Sequence, residues 1–194
     1  MLTIEQAKEM LDKIDCTDKH DTMLHTAAII TSMLEKHDIK PIIVGGFSVE
    51  IYTQRDYSTH DIDFVAHDIG KVSELLLQLG FEKEGRHLFH EKLKIMIEFP
   101  DDSLAGSYEK ITKLEVDGDN GQYVYVISIE DIIMDRLRAS LYWHELESKE
   151  WGMKILSNYF GQLDVDYLKT VGEGAETEDE RKEMQKWILE LGRL

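Results

Sequence analysis

The chain has 194 residues, and 39 acidic against 22 basic side chains give it a formal net charge of −17. A protein this acidic repels phosphate backbones and anionic membrane surfaces, which excludes a non-specific nucleic-acid or membrane-surface binder. Hydrophobic residues make up 42% and charged residues 31%, as in globular and not in disordered proteins. The length predicts one domain or two small ones.

Cys16 is the only cysteine, which excludes an intramolecular disulfide and a cysteine-rich zinc site. A lone cysteine favours a reducing location, and we therefore expect a cytoplasmic protein. The N-terminal residues 1–14 are amphipathic and charged, unlike a signal segment. The apolar runs are too short for a membrane-spanning helix, so no membrane partner is expected.

The first half of the chain alternates between helical and strand patterns. In chain order, the spacing of apolar residues predicts helices over 3–14 and 21–37, a strand over 42–44, a helix over 47–52, a strand over 60–66, a helix over 70–79 and strands over 81–84, 86–91 and 93–99. Thr3 and Gln6 form the capping box of the first helix. Gly80 is the expected C-cap of the helix over 70–79.

After a last pair of strands the pattern becomes helical. Segments 107–116 and 122–127 predict a hairpin around the turn-rich residues 117–121. Ser128 and Asp131 form a capping box that opens a helix to about Leu146. Later helices are expected over 151–160, 165–171 and 177–191, with Gly172-Glu173-Gly174 breaking the last two, and Trp143, Trp151 and Trp187 as packing residues. The change at Ser128 predicts a mixed α/β domain of residues 1–127 and a helical domain of residues 128–194.

The first chemical feature is Gly45-Gly46, which ends a strand before a helix. Glycines there allow a phosphate to approach the backbone, and the helix N-terminus offers free N–H groups to an anion. A purely conformational role for the two glycines is the alternative.

The second feature is the Asp61-Ile62-Asp63 segment in a predicted strand. Because side chains alternate along a strand, both carboxylates lie on one face while Ile62 and Phe64 point into the core. Two such carboxylates repel each other unless a divalent cation lies between them, and Mg²⁺ prefers a few carboxylates plus substrate phosphates. The alternative is an exposed strand end with two solvated aspartates.

The third feature is Glu98, near the end of the otherwise apolar strand over 93–99. Its side chain lies on the face opposite to Leu93, Ile95 and Ile97. Glu98 completes a three-acid metal site if this strand neighbours the Asp61–Asp63 strand, and it belongs to a simple amphipathic edge strand if it does not.

Together these residues resemble the nucleotidyltransferase superfamily with the DNA polymerase beta fold. The resemblance lies in Gly45-Gly46, the short helix, Arg55 and the run Thr59-His60-Asp61-Ile62-Asp63, with 14 residues between Gly46 and Asp61. The run is similar to small bacterial nucleotidyltransferases, including AbiEii-type toxins. Residues 128–139 and 164–168 resemble the helices that follow the catalytic domain in those families. Where small members often have Gly-Ser, this chain has Gly-Gly, and Ser48 follows two residues later.

The resemblance implies an α+β fold, with a nucleotidyltransferase-like mixed sheet flanked by helices and followed by a helical C-terminal region. It also implies a two-metal magnesium site in which Asp61, Asp63 and Glu98 are the ligands and the catalytic carboxylates. It further implies six nucleotide-binding residues. Gly45, Gly46 and Ser48 would cradle the triphosphate, and Thr59 would position the aspartates. Arg55 or Arg136 would neutralise phosphate charge.

The implied function is metal-dependent transfer of a nucleoside monophosphate from a nucleoside triphosphate to an acceptor hydroxyl. The acceptor is a small molecule, a protein or RNA, and the net charge disfavours long RNA. The alternative is a catalytically silent protein of the same fold with a nucleotide-binding or regulatory role. Such a protein could belong to a toxin–antitoxin pair and have an antitoxin partner. The intact acids Asp61, Asp63 and Glu98 favour the enzyme.

Overall fold

The computed structural model describes residues 2–116, 121–173 and 178–192. The chain divides into two compact units, an N-terminal unit of Met1–Ser48 with Ser58–Ile127 and a C-terminal unit of Val49–Tyr57 with Ser128–Leu194. The segment Val49–Tyr57 therefore groups with helices that follow it much later in the chain. The predicted domain boundary between residues 127 and 128 stays a prediction.

The described part of the N-terminal unit contains one seven-stranded sheet. Its strands are β1 (Ile42–Val44), β2 (Asp61–Val65), β3 (Glu82–Glu84), β4 (His87–His90), β5 (Ile95–Glu98), β6 (Thr112–Val116) and β7 (Gln122–Val126). They lie in the order β3-β4-β5-β2-β1-β7-β6. The sheet is mixed, because β1 pairs in parallel with β7 and β2 with β5, whereas the other neighbours are antiparallel. Of the predicted hairpin turn, residues 117–120 lie outside the described residues.

Helices of this part of the chain are set by local capping. They are α1 (Ile4–Asp12), α2 (Lys19–Leu34), α3 (Gly45–Tyr52) and α4 (Ile69–Gln78). The backbone N–H of Gln6 donates to Thr3 Oγ1, and the N–H of Thr3 donates to Gln6 Oε1, which confirms the predicted capping box. Helix α2 begins two residues before the predicted start, because the Asp18 side chain accepts a hydrogen bond from the N–H of Asp21.

The core of the N-terminal unit lies between α2 and the sheet. Helix α2 contacts β6, β7, α1 and α4. Side chains from α2 and from the central strands are completely buried in this core: Ile30, Leu34, Ile43, Ile62, Phe64 and Ile97. Because the buried residues of β2 and β5 alternate with polar ones, one sheet face is apolar while the other carries carboxylates.

Four helices make up most of the C-terminal unit within the described residues: α5 (Ile129–Tyr142), α6 (Leu146–Tyr159), α7 (Val165–Glu173) and α8 (Glu178–Leu191). Ser128 caps α5 by accepting a hydrogen bond from the N–H of Asp131 at 3.0 Å, as predicted. Helix α5 ends at Tyr142, short of the predicted Leu146, and His144 in the following turn has a φ of +56°. Helix α7 extends through Gly172 and Glu173, two residues beyond its predicted end at Val171, and Gly174 of the predicted break lies outside the described residues.

The three tryptophans differ in their surroundings. Trp187 is completely buried, and Trp151 contacts Tyr57 edge to face with ring centroids 5.2 Å apart. Trp143 is 74% exposed, so its predicted packing role is wrong. The reason is the early end of α5, which leaves Trp143 in a turn rather than on a helix face. None of the described helices is both long and apolar enough to cross a membrane.

Candidate functional site

The predicted carboxylates lie on neighbouring strands in the middle of the sheet. Strand β2 pairs with β5 in parallel, and Asp63 is the register partner of Glu98. Directly paired residues of neighbouring strands project to the same face, so Glu98 shares a face with Asp61 and Asp63. The three acids are partly exposed, whereas Ile62 on the other face is buried. The adjacency of β2 and β5 could not be derived from the sequence.

Gly45 lies directly against Asp63. Val44 of β1 is the register partner of Asp63, so the chain turns into α3 beside this carboxylate. A Cβ atom added at Gly45 would lie 2.2 Å from Asp63 Oδ2, and the glycine has a φ of +58°. Contact distance and backbone conformation therefore both require glycine here. The predicted helix start at Phe47 is corrected to Gly45, so the two glycines form the first turn of α3 rather than a loop before it.

The first turn of α3 gives the site its helix N-terminus. The first backbone N–H groups of a helix have no acceptor within the helix, and the helix dipole favours an anion there. Ser48 is completely buried, and its hydroxyl donates to the carbonyl oxygen of Gly45 at 2.7 Å. Ser48 therefore supports this turn from within, and its predicted contact with a triphosphate stays a prediction.

Thr59 holds Asp61. The Thr59 hydroxyl donates to Asp61 Oδ1 at 2.7 Å, and Thr59 is 9% exposed. A buried donor fixes the carboxylate oxygen that accepts from it, so Asp61 enters the site with one oxygen oriented. The neighbouring His60 contacts Lys19 at the start of α2.

Glu98 has two basic neighbours on β4 and just before it. His87 Nδ1 lies 2.6 Å from Glu98 Oε1, and Arg86 Nε lies 3.3 Å from Glu98 Oε2. Neither basic residue was predicted to contact the acids. The register of the antiparallel β4–β5 pair places His87 beside Glu98, and that register was beyond what the sequence pattern could give.

His90, three residues along β4, is in different surroundings. Its ring packs edge to face against Phe81 with centroids 5.0 Å apart. Burial lowers the pKa of the His90 imidazole, an effect that nearby Asp12 partly opposes. The two histidines do not share a ligand site, because residues three apart on a strand project to opposite faces.

The carboxylates of β2 form a pair and not a larger group of metal ligands within the described residues. Among the residues that the structure describes, no group of three or more His, Cys, Asp or Glu side chains is arranged to hold a metal ion. Asp61 and Asp63 nevertheless offer two carboxylates on one face. Mg²⁺ is usually bound by one or two carboxylates together with waters and substrate phosphates, so a pair of this kind suits it.

The two predicted phosphate-neutralising arginines both belong to the C-terminal unit. Arg55 follows α3, which ends with hydrogen bonds from Gln54 N–H to the Ile51 carbonyl and from Arg55 N–H to the Glu50 carbonyl. This is the Schellman pattern, here with left-handed backbone at Gln54 and Arg55 instead of a glycine. Arg136 on α5 donates through Nη2 to Asp135 Oδ2 at 2.5 Å. Nucleotide-binding roles for both arginines stay predictions.

Comparison with known proteins gives a family and a fold. Residues 21–187 match a family described as nucleotidyltransferase of unknown function, DUF6036. No curated protein matches the chain. The crystal structure of an antigenic nucleotidyltransferase-like protein from Paracoccidioides brasiliensis is 18% identical with a TM-score of 0.51, covering 91% of this chain and 88% of its own.

Two structures of ANT(2″)-Ia are also similar. The crystal structure in complex with adenylyl-2″-tobramycin is 15% identical with a TM-score of 0.46, covering 73% of this chain and 90% of its own. The solution structure of the same antibiotic-resistance factor is 14% identical with a TM-score of 0.46, covering 84% of this chain and 91% of its own. Both TM-scores are below 0.5, which is too low to establish a common fold with this chain. The α+β fold predicted above, a nucleotidyltransferase-like mixed sheet with flanking and C-terminal helices, is confirmed.

Proposed function

Because the chain belongs to the nucleotidyltransferase family of unknown function DUF6036, we propose that it moves a nucleoside monophosphate from a nucleoside triphosphate to an acceptor hydroxyl. The observation that carries the proposal is the contact of Gly45 with Asp63, where a Cβ atom would lie 2.2 Å from the carboxylate. A triphosphate bound at the helix N-terminus would therefore lie beside the acids of β2.

Asp61 and Asp63 are the residues that would hold magnesium, with Glu98 as the third carboxylate. Magnesium, when bound, would supply the positive charge that offsets the negative charge on the attacking and leaving oxygens. The protein's net charge of −17 disfavours a triphosphate at long range, and a bound cation would offset part of that repulsion. Thr59 keeps Asp61 oriented through the hydrogen bond to Oδ1.

The remaining residues bind the substrate and move one proton. The backbone N–H groups of Gly45 and Gly46 would donate to phosphate oxygens. Glu98 would accept the proton of the acceptor hydroxyl, whose oxygen then forms a bond to the α-phosphorus. The bond from the α-phosphorus to the bridging oxygen breaks, and pyrophosphate leaves with that electron pair. Arg55 and Arg136 are proposed to neutralise phosphate charge.

The proposed acceptor is a small molecule or a protein. A chain with an excess of acidic side chains repels a long RNA. A toxin–antitoxin setting and the likeness to AbiEii-type toxins stay predictions from the sequence, and co-expression with the product of a neighbouring gene would test them. A cytoplasmic location also stays a prediction.

Calorimetric titration of each nucleoside triphosphate with Mg²⁺ tests the proposal. We expect wild type to bind at least one triphosphate only when Mg²⁺ is present, and Asp63→Asn to lose this binding. Asp38→Asn is the matched control, because Asp38 is an exposed aspartate of the same unit with a left-handed backbone that asparagine tolerates. Equal affinity in wild type and Asp63→Asn would overturn the proposed site.

Pyrophosphate release separates the enzyme from the silent alternative. Wild type should release pyrophosphate in the presence of an acceptor from a panel of hydroxylated small molecules, proteins and short RNAs. Magnesium-dependent binding without release across the whole panel would favour the nucleotide-binding or regulatory protein. Circular dichroism of Asp63→Asn serves as the check that the fold is intact.

A further inference from the structure

A groove between α7 and α8 of the C-terminal unit has a volume of about 320 Å³. Its floor consists of Leu168 on α7 and Met184 on α8, which are 0% and 2% exposed. Ile188 and Leu189 of α8 extend the apolar lining, and Leu189 is 62% exposed. Binding sites for small molecules have volumes of this order and a mainly apolar lining with a few polar groups. The groove therefore has the size and lining of a small-ligand site.

The groove follows the axis of α8. Arg181, Met184, Ile188 and Leu189 all line it, and residues three or four apart lie on one face of a helix. From Arg181 to Leu189 the helix rises by about 12 Å. A basic side chain thus stands at one end of the groove and the exposed leucine at the other, with apolar side chains between them. This arrangement suits an elongated ligand with one anionic end.

Arg181 is a cation that no described acid neutralises. It is exposed, and no ion pair joins it to another residue that the structure describes. Two neighbouring acids of α8 have other partners, since Glu178 pairs with Lys182 at 2.9 Å and Glu180 pairs with Arg138 at 3.1 Å. In a chain with 39 acidic and 22 basic side chains, most arginines can find an acid of the same chain. The guanidinium of Arg181 is therefore available to an anion from outside.

Lys169 adds a second cation to the groove from α7. Its ammonium lies 3.4 Å from Asp166 Oδ1, and the Asp166 side chain is 95% exposed. An ion pair this exposed contributes little to stability, so Lys169 can turn toward a bound anion at little cost. Both helices that form the groove thus supply positive charge to it.

We propose that this groove binds an unbranched alkyl carboxylate, with the alkyl chain along Met184 and Ile188 and the carboxylate at Arg181. The planar guanidinium forms two parallel hydrogen bonds with a carboxylate, a geometry that an uncharged head group does not offer. Burial of the chain removes apolar surface of both ligand and groove from water. The inference goes beyond the proposed function, because none of the groove residues belongs to the proposed nucleotide site.

Magnetic resonance of the full chain, with an isotope label on the methionine methyl groups, tests the inference. Octanoate, heptanoate and octanol are the probes, and Met184→Leu identifies the Met184 resonance. We expect octanoate to shift this resonance and to leave that of Met96 on β5 unchanged. Heptanoate should bind about four-fold more weakly than octanoate, because one buried methylene group is missing. Octanol should bind more weakly than octanoate, because it lacks the charge that Arg181 recognises.

Matched variants separate the two ends of the groove. Arg181→Gln should weaken octanoate binding about five-fold, the upper end for an exposed ion pair, and leave octanol binding unchanged. Lys182→Gln removes the same charge from a neighbouring side chain that pairs with Glu178, and it should bind octanoate as wild type does. Leu189→Gln should weaken both ligands, whereas Leu77→Gln, at an exposed leucine of the N-terminal unit, should weaken neither.

Three outcomes would overturn the inference. Equal affinity of wild type for octanoate and octanol would show that the anionic end is not recognised. Shifts spread over most methionine resonances would show non-specific adsorption instead of a site. Sedimentation of wild type as a dimer that Leu189→Gln dissociates would show that a second copy of the chain covers the groove. Each of these results would leave the proposed nucleotidyl transfer standing.

Discussion

Gly45 and Gly152 show how the two units use the same residue for different ends. Each glycine occupies a place that a Cβ atom cannot fill. At Gly45 the obstacle is Asp63 Oδ2 at 2.2 Å, and at Gly152 it is the Trp187 ring at 2.6 Å. The first obstacle is a partly exposed carboxylate of the proposed site, whereas the second is a completely buried aromatic side chain.

The surroundings of each glycine indicate what its close contact contributes. At Gly152 the nearest atoms belong to the completely buried Trp187 ring, with Arg136 Cβ next at 3.0 Å, so the contact contributes to stability through packing. Around Gly45 the neighbour is polar, and the left-handed φ of +58° adds conformational strain for any other residue. A strained approach to a charged group contributes nothing to packing, so Gly45 is expected to serve binding and Gly152 folding.

The largest effect is expected for Gly45→Ala. The free energy of unfolding should fall by about 2–4 kcal/mol, since left-handed strain adds to the clash with Asp63. Magnesium-dependent nucleotide binding should be lost. Urea denaturation and calorimetric titration measure the two effects.

The double variant Gly45→Ala with Asp63→Ala sharpens this expectation. Removing the carboxylate relieves the clash, so part of the stability should return, while binding stays lost. Recovery of binding in the double variant would contradict a site built on Asp63.

Gly152→Ala should destabilise the C-terminal unit by up to about 2 kcal/mol. The overpacking against Trp187 costs about 1–3 kcal/mol, and alanine recovers about 1 kcal/mol of helix propensity. Urea denaturation of Gly152→Ala in the wild-type and Trp187→Leu backgrounds measures the coupling, and the cost should shrink when the ring is gone. Unlike Gly45→Ala, this variant should keep its nucleotide affinity.

A smaller effect is expected for the helix caps of the two units. Ser128→Ala should lower stability by about 1 kcal/mol, because the buried hydroxyl accepts from the Asp131 N–H. Thr3→Ala removes an exposed cap and should cost about 0.5 kcal/mol. Thermal denaturation of both variants gives the ranking, and a larger loss for Thr3→Ala would reverse it.

The smallest effect concerns a cluster on β7, away from the acids of β2. The hydroxyls of Tyr123 and Tyr125 donate to the two carboxylate oxygens of Glu35, at 2.5 and 2.6 Å. The hydrogen bond to Glu35 raises the pKa of Tyr123. Burial is the largest cause that raises the pKa of Tyr125, and the hydrogen bond to Glu35 is the next. Because each phenol has a higher pKa in the folded than in the unfolded state, the protonated phenol stabilises the fold. This stabilisation is fully present below the unfolded pKa of about 10 and is lost as the pH rises through the folded pKa.

The free energy of unfolding of wild type should therefore fall from about pH 10 upward. It should fall less in the double variant Tyr123→Phe, Tyr125→Phe. Urea midpoints measured from neutral pH to about pH 11 check this. Tyr108→Phe is the matched control, because the Tyr108 hydroxyl accepts from the N–H of Leu104 rather than donating to a carboxylate. Parallel pH curves for all three proteins would contradict the assignment.

Local features of this protein were predictable because they depend on residues close together in the chain. The capping box at Thr3, the N-cap at Ser128 and the strand at Ile42–Val44 were all predicted. So was the alternation that separates the carboxylates of β2 from buried Ile62. The helix at Gly45 was predicted two residues late, because glycine is a poor helix former and its tertiary role was hidden.

Which strands are neighbours is known only from the folded structure. The pairing of β2 with β5, which places Glu98 beside Asp63, joins segments far apart in the chain, and strand order does not follow from periodicity. The same holds for His87 beside Glu98 and for the grouping of Val49–Tyr57 with the C-terminal helices. The acids and glycines of the proposed site could be identified from the sequence, because alternation and turns are local. Their assembly required the sheet register, because only long-range pairing brings such residues onto one face.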